Sequence, residues 1–192
     1  YLRRYEEAEA SLARGRAINE RAGTEAAGGS GACYWTDLAL VYGDLEEAKR
    51  RLATTDGSMI AARSIHARSR IAKRRAAFAL IEGEPLEAER LAHDGLVLVA
   101  AQGIPLETFE QLEVLAQVAA LTGSPEEAAR IAGSVHAIRA RHGISVRLAW
   151  HADQFDAAVA RVREVLGDEV FDRAFAEGAA LSTAEAVAYV QR

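Results

Sequence analysis

The stretch "GDLEEAKR" at residues 43–50 decides the fold, because close copies of it recur at a fixed interval. It returns as "GEPLEAER" at 83–90 and as "GSPEEAAR" at 123–130, so the period is 40 residues. One further step back reaches "RRYEEAEA" at 3–10, which keeps the central glutamate and alanine. A period of this length predicts an array of repeated helical units, and catalytic chemistry gives no reason for such a spacing.

Each copy of the octet predicts the end of one helix and the start of the next. The leading glycine follows a helical run and can adopt the left-handed conformation that closes a helix. Asp44 with Glu47, and Ser124 with Glu127, predict capping boxes at the start of the following helix. A proline such as Pro125 is favoured at the first helical position. The octet is therefore a tight turn between two antiparallel helices, and its alanine allows close helix packing.

The remaining sequence shows helical periods and turn residues and lacks the alternation of strands. Apolar residues make up 50% and aromatic residues only 6%, a composition that favours packed helices. The sequence predicts an all-α fold, a right-handed α–α superhelix of antiparallel helix pairs with about ten helices. They are expected near residues 2–22, 33–42, 44–54, 59–82, 85–102, 105–122, 125–142, 147–166, 168–177 and 183–191.

A single domain is expected over residues 1–192, because the sequence contains no linker long enough to separate two domains. The chain begins at Tyr1 inside a predicted helix, which indicates a fragment of a longer protein. We therefore expect the first helix to expose an apolar face, with a second copy of the chain as a candidate partner. Repeats are placed around 1–31, 32–58, 59–103 and 104–143, followed by capping helices over 144–192.

Charge and cysteine content narrow the class of protein. The net charge is −5, so nothing in the composition indicates direct binding of nucleic acid. Cys33 is the single cysteine, which leaves neither a disulfide framework nor a thiolate metal site. No apolar run approaches the roughly 18 residues of a membrane-spanning helix. These features predict a cytoplasmic protein without a membrane segment and without a cofactor in this part of the chain.

The helix pairs resemble tetratricopeptide repeats. Gly43, Ala48 and Leu52 match positions of the second helix of that motif, and Ala76 with Ala79 match the small residues of its first helix. The period of 40 departs from the usual length of about 34 residues. The resemblance is therefore to a divergent repeat with long helices.

The C-terminal part resembles a more specific family, the large actinobacterial LuxR-type transcription regulators. Its "LGDEVFDRAFAEG" at 166–178 and "LSTAEAVAYV" at 181–190 are similar to segments that precede a helix-turn-helix domain in that family. The resemblance covers about residues 126–192. It implies an ATP-binding module upstream, sometimes preceded by a cyclase-like domain, and a DNA-binding domain downstream. It supplies no catalytic residue for this chain.

One helix carries an unusual charge pattern. The stretch 61–81 contains six lysines and arginines and no acid, in a chain that is otherwise acidic. At about 100° per residue, five of its basic side chains fall on one stripe. We favour a solvated face neutralised by glutamates of neighbouring helices; the functional hypothesis is a groove for an acidic peptide, another domain of the parent protein or a phosphate-bearing ligand. We call these five residues the basic stripe: Arg63, His66, Arg70, Lys73 and Arg74.

Other chemically interesting residues have simpler interpretations. The five histidines lack the spacing of a metal site. The glycine-rich "AGGSGAC" at 27–33 lacks the Lys-Ser/Thr of a phosphate-binding loop and is predicted to be an ordinary loop. Trp35 and Trp150 are expected to fill the core, and Cys33 to be a small buried residue.

Three functions are compatible with these patterns. The first is a non-catalytic sensing and protein-interaction scaffold of a LuxR-type regulator, which contacts DNA only through the parent protein's C-terminal domain. The second is a separate tetratricopeptide-like adaptor that binds acidic peptides in its concave groove. The third is an enzyme with a site between helices, which no chemistry-bearing cluster of the sequence supports.

Overall fold

The computed structural model describes residues 4–22, 30–56, 63–145 and 148–192. Within these ranges the protein is all-α, as predicted, and contains no β-strand. The described part forms ten helices, in agreement with the predicted number. They are α1 (Tyr5–Arg21), α2 (Ser30–Val41), α3 (Leu45–Asp56), α4 (Ile65–Ile81), α5 (Pro85–Ala100), α6 (Pro105–Leu121), α7 (Pro125–Arg141), α8 (Ala149–Leu166), α9 (Asp168–Ala179) and α10 (Thr183–Val190).

The repeated octets form the predicted turns. Gly43, Gly83 and Gly123 have φ angles of +77°, +78° and +85°, in the left-handed region where a side chain is strained. At the first turn the amide of Asp44 donates to the carbonyl oxygen of Ala39 at 2.9 Å. This bond closes helix α2 in the manner of a Schellman motif, so the glycine both ends one helix and reverses the chain.

Of the two caps predicted in the octets, that of Asp44 is confirmed and that of Ser124 is wrong, and a further cap forms at Ser182. The carboxylate of Asp44 accepts from the amide of Glu47 at 2.8 Å, and Ser182 with Glu185 forms a complete capping box. Ser124, however, makes no side-chain cap bond. Its ψ angle is 61°, whereas Ser182 is extended with a ψ of 166°, the backbone conformation that directs a cap hydroxyl at the helix.

Two predicted boundaries shift. Ser30 to Ala32, predicted to lie in a loop, already belong to α2, while 23–29 lie outside the described residues. Helix α4 begins at Ile65, inside the helix predicted over 59–82, because the hydroxyl of Ser64 caps it by accepting from Ala67 N at 3.2 Å. The predicted break at 57–58 and the helix start at 59–62 lie outside the described residues.

The helices pack in the order of the chain, as expected of a stacked superhelical array of pairs. Ala48, Ala88 and Ala128, the alanines of the octets, are 0%, 0% and 3% exposed, as close packing of the helices requires. One apolar cluster extends from α4 to α10, and a smaller one joins α2, α3 and α4. The placement of the repeat boundaries stays a prediction.

The last helices fold back on the array. Helix α9 lies against α7 where two glycines face backbone. A Cβ atom added at Gly133 would lie 2.0 Å from the carbonyl oxygen of Phe175, and one at Gly178 would lie 1.7 Å from that of Arg130. Helix α8 reaches across to α2, and Trp150 near its start packs against the smaller apolar cluster.

Helix α1 is poorly covered. None of its residues is buried, and Ile18 is 56% exposed. The predicted exposure of this helix is therefore present in the described part of the chain. Pairing of the helix with a second copy stays a prediction.

Candidate functional site

The basic stripe is not a continuous surface feature. Arg63 and His66 are exposed and Arg70 is half-buried, whereas Lys73 and Arg74 are only 3% and 1% exposed. Helix α4 is covered by α2 on one side and by α6 on the other, so the C-terminal half of the stripe points into the protein. Partner binding by the stripe stays a prediction, and only its N-terminal half offers an open surface.

Arg74 is held by helix α2. Its guanidinium forms an ion pair with the carboxylate of Asp37, and its Nε donates to the carbonyl oxygen of Cys33 at 3.2 Å. A third bond runs from Nη1 to the carbonyl oxygen of Arg70 at 3.0 Å. The arginine is thus satisfied by fixed acceptors, which is the condition for burying a charge.

Lys73 is held by helix α6. Its ammonium nitrogen lies 3.3 Å from Glu110 Oε1 and 3.8 Å from Glu113 Oε2. Both distances exceed the roughly 2.7–2.9 Å of a charge-assisted hydrogen bond. The other carboxylate oxygen of Glu110 is buried without a hydrogen-bond partner among the described residues. The ion pair is therefore long, and both the ammonium of Lys73 and the carboxylate of Glu110 can form further hydrogen bonds.

Helix α8 adds His151, which is 5% exposed. Together with Asp37, Lys73, Arg74, Glu110 and Glu113 it forms what we call the charge cluster. Its Nε2 lies 3.1 Å from Asp37 Oδ1, a contact that bridges 114 positions of the chain. Burial lowers the pKa of His151, Lys73 lowers it further, and Asp37 opposes both. The imidazole is therefore neutral at neutral pH and donates its Nε2 proton to the carboxylate.

The acids of the cluster stay ionised because of their neighbours. Burial raises the pKa of Asp37, but Arg74 and His151 outweigh it and hold the pKa at about 2. Burial likewise raises the pKa of Glu110, and Lys73 with the arginines brings it below its usual value. Burial raises the pKa of the Cys33 thiol. Cys33 is 0% exposed, as expected of a small buried residue.

At its outer end the cluster reaches the surface. The guanidinium of Arg70 donates to the Tyr34 hydroxyl at 3.2 Å, and its carbon lies 5.4 Å from the centre of the Tyr34 ring. His66 Nδ1 lies 3.1 Å from Glu107 Oε1, and the His66 side chain is 60% exposed. Helices α2, α4 and α6 thus supply the polar contacts of this outer part.

A cleft of about 240 Å³ opens beside the cluster, between helices α4, α6 and α8. Lys73, Glu113 and His151 lie at its polar end, and Trp150 lies beside them. The other end is apolar. It is lined by Ala77, Leu80, Ile81, Leu121 and Ala158, with Arg161 of α8 at the same end.

Sequence reasoning found the basic half of this cluster and expected neighbouring glutamates to neutralise it, but it named none of the acidic residues. Asp37 interrupts the apolar run "TDLALV" in α2, and Glu107, Glu110 and Glu113 recur every three residues in α6. Acids at helical spacing inside apolar runs are the signal that could have predicted buried partners for the stripe. Trp150 packs against the core, as predicted, and also lines the cleft. Trp35 is half-buried, beneath the guanidinium of Arg51 at 5.0 Å.

Other types of site are not found in the described ranges. No three His, Cys, Asp or Glu side chains there are arranged to hold a metal ion. None of the helices described is long and apolar enough to cross a membrane.

The sequence is similar to bacterial regulators. It is 43% identical over 122 residues to a protein of Mycobacterium bovis named "Putative HTH-type transcriptional regulator", and equally to two so named from Mycobacterium tuberculosis. The alignment covers 62% of this chain but 13% of each regulator, so the chain spans about an eighth of their length. No protein-family model matches the chain, and no solved structure matches it.

Proposed function

We propose that the chain is a non-catalytic sensing and protein-interaction scaffold of a LuxR-type transcription regulator in the cytoplasm. It would connect an upstream ATPase module to a downstream helix-turn-helix domain. The observation that carries the proposal is the 43% identity to three regulators over 122 residues. The array of helix pairs supports it, because stacked pairs provide an extended surface that can bind other domains.

In this proposal the scaffold transmits a signal and performs no reaction. ATP belongs to the upstream module and DNA contact to the downstream domain. The charge cluster fixes α2, α4, α6 and α8 relative to one another, so a ligand or domain that displaces one of them would shift the others. The contact between Asp37 and His151, which are 114 positions apart in the chain, supports this proposal because it joins α2 to α8.

The test uses the full-length protein encoded by the gene. We expect the reading frame to contain a phosphate-binding loop upstream and a helix-turn-helix downstream, and the tagged protein to occupy specific chromosomal sites. The 192-residue chain alone should not retain DNA in a mobility-shift assay. A reading frame without a DNA-binding domain, or a full-length protein that occupies no DNA, would contradict the proposal.

A peptide-binding adaptor is the second candidate, and the open half of the basic stripe favours it. Arg63 and His66 are exposed and Arg70 is half-buried at one end of α4. An acidic peptide should bind there in a fluorescence-polarisation assay, and Arg63→Glu should abolish the signal. The matched control is Arg173→Glu, which changes an exposed arginine on α9. Equal binding by the two variants would exclude the groove at this position.

A further inference from the structure

We infer that the cleft between α4, α6 and α8 binds a small organic acid whose body carries hydroxyl or amide groups. Binding of such an acid goes beyond the scaffold role. The inference rests on the proposed function in one respect, namely that the acid is the signal that the scaffold receives. The volume of about 240 Å³ lies just below the range of roughly 300–1,000 Å³ for drug-sized ligands, so a smaller molecule fits.

The polar end of the cleft selects a neutral group that both donates and accepts hydrogen bonds. Lys73 has three N–H donors, and its two carboxylate neighbours at 3.3 and 3.8 Å do not saturate them. Glu113 lines the same end, and a carboxylate has about four acceptor positions, more than a single partner occupies. Because Lys73 already lies near two carboxylates, an anion placed here would have to compete with Glu110 and Glu113 for its ammonium group. A hydroxyl or an amide can bond to both the ammonium and the carboxylate.

The walls of the cleft offer further amide groups. Gln117 donates its Nε2 to the backbone oxygen of Glu113 at 3.0 Å, which leaves its side-chain carbonyl available. Gln154 stands on the opposite wall, on α8, and is exposed. Trp150 supplies a flat apolar surface beside them. These groups suit the polar body of a ligand better than a purely hydrocarbon chain.

The far end of the cleft selects the acid group. Arg161 is exposed and makes no hydrogen bond or ion pair with another described residue. At a rise of about 1.5 Å per residue, Arg161 lies about 15 Å along α8 from His151. It is therefore distant from the polar end of the cleft, where Glu113 lies. A guanidinium binds a carboxylate or a phosphate through paired N–H donors. The ligand therefore places its charge at Arg161 and its hydroxyl or amide groups toward Lys73.

Calorimetric titration of the 192-residue chain tests the site with gluconate, N-acetyl-L-glutamine and glucose 6-phosphate. The first two carry a carboxylate and the third a phosphate, so their affinities identify the acid group. Uncharged glucose is the comparison compound. Fluorescence in a Trp35→Phe background reports on Trp150 alone, since the chain has two tryptophans.

We expect at least one acid to bind saturably, to change the Trp150 emission and to bind more tightly than glucose. Arg161→Gln should weaken that binding by about tenfold or more, the loss expected for a charge-assisted hydrogen bond. Arg173→Gln, an exposed arginine outside the cleft, should leave it unchanged. Circular dichroism checks that both variants are folded.

The inference is overturned if none of the acids binds at about 10 mM, if Arg161→Gln binds as well as the unchanged chain, or if glucose binds as tightly as the acids. Failure here leaves the regulator proposal intact, because that proposal is judged by DNA occupancy of the full-length protein. Conversely, an acid that binds the chain supports the site even if the full-length protein contacts no DNA.

Discussion

At the scale of single residues, the central feature is a set of charges buried between helices. Removing ions from water costs several kcal/mol each, and only close partners offset this cost. Arg74 meets that condition with three acceptors from α2 and α4. Such a pair adds little net stability compared with apolar residues, yet it penalises every packing in which a partner is missing. The cluster therefore fixes which helices lie together.

Loss of Arg74 should be costly. Arg74→Met leaves Asp37 buried without its guanidinium, and we expect the free energy of unfolding in urea to fall by about 3–5 kcal/mol at pH 7. The matched control is Arg90→Met, which breaks exposed ion pairs to Glu87 and Asp94 and should cost about 0–1 kcal/mol. Similar losses for both variants would show that the ion pair of Arg74 with Asp37 does not hold α4 against α2.

His151 should make stability depend on pH. Its pKa is lowered in the folded protein, chiefly by burial and then by Lys73. Below the unfolded value of about 6.5, the unfolded chain binds a proton that the folded chain does not, so stability is complete above that pH and falls as pH decreases. His151→Gln keeps a donor for Asp37 and should lose less stability between about pH 7 and pH 5. Parallel urea-midpoint profiles for the two chains would contradict this.

At the scale of elements, the contact of α9 with α7 depends on two glycines. Gly133 and Gly178 allow backbone to meet backbone, because an added Cβ would lie 2.0 Å or less from a carbonyl oxygen. The hydroxyl of Ser134 donates to the carbonyl oxygen of Gly178 at 3.0 Å and fixes the relative position of the helices. The C-terminal segment is thus an integral part of the array.

Alanine at these positions should separate the two helices. Gly133→Ala and Gly178→Ala are each expected to lower the free energy of unfolding by about 1–3 kcal/mol or more, as overpacking does. Gly15→Ala is the control, because nothing lies within 4 Å of its added Cβ inside helix α1. That change should raise helix stability by about 0.5–1 kcal/mol. A neutral effect at Gly133 in chemical denaturation would mean that the helices do not meet closely in solution.

At the scale of the whole molecule, the ends of the array differ in how well they are covered. The large apolar cluster joins every helix from α4 to α10, whereas the smaller one joins α2, α3 and α4. Helix α1 contributes no buried residue, and its main packing partner among the described helices is α2. In a repeat array each unit is stabilised by its neighbours, so α1 should open first.

Hydrogen exchange should show this gradient. Amides of α1 are expected to exchange at nearly the rate of an unstructured chain, because opening this helix exposes little apolar surface. Amides of α6 should exchange only through much larger openings, since Phe109, Leu112 and Val118 of that helix are buried. Mass spectrometry of peptic fragments measures both. Equal protection in α1 and α6 would indicate that another surface, such as a second copy of the chain, covers α1.

Within the described ranges, the sequence by itself determined the number of helices, their turns and their pairing, because glycine, cap and proline signals act within a few residues of chain. It predicted ten helices and identified Gly43, Gly83 and Gly123 as the turn residues. It did not determine that the cap of Ser124 would be absent, since this depends on a backbone angle set by the preceding turn.

Only the tertiary structure determined which residues of the basic stripe are buried. Helical periodicity places Arg63, His66, Arg70, Lys73 and Arg74 on one face, but it cannot say what covers that face. The acids that bury its inner half are distant in sequence, with Asp37 on α2 and Glu110 with Glu113 on α6, and His151 comes from α8. Charges interact through space, and the separation between these side chains is fixed by the stacking of helices and not by their spacing along the chain.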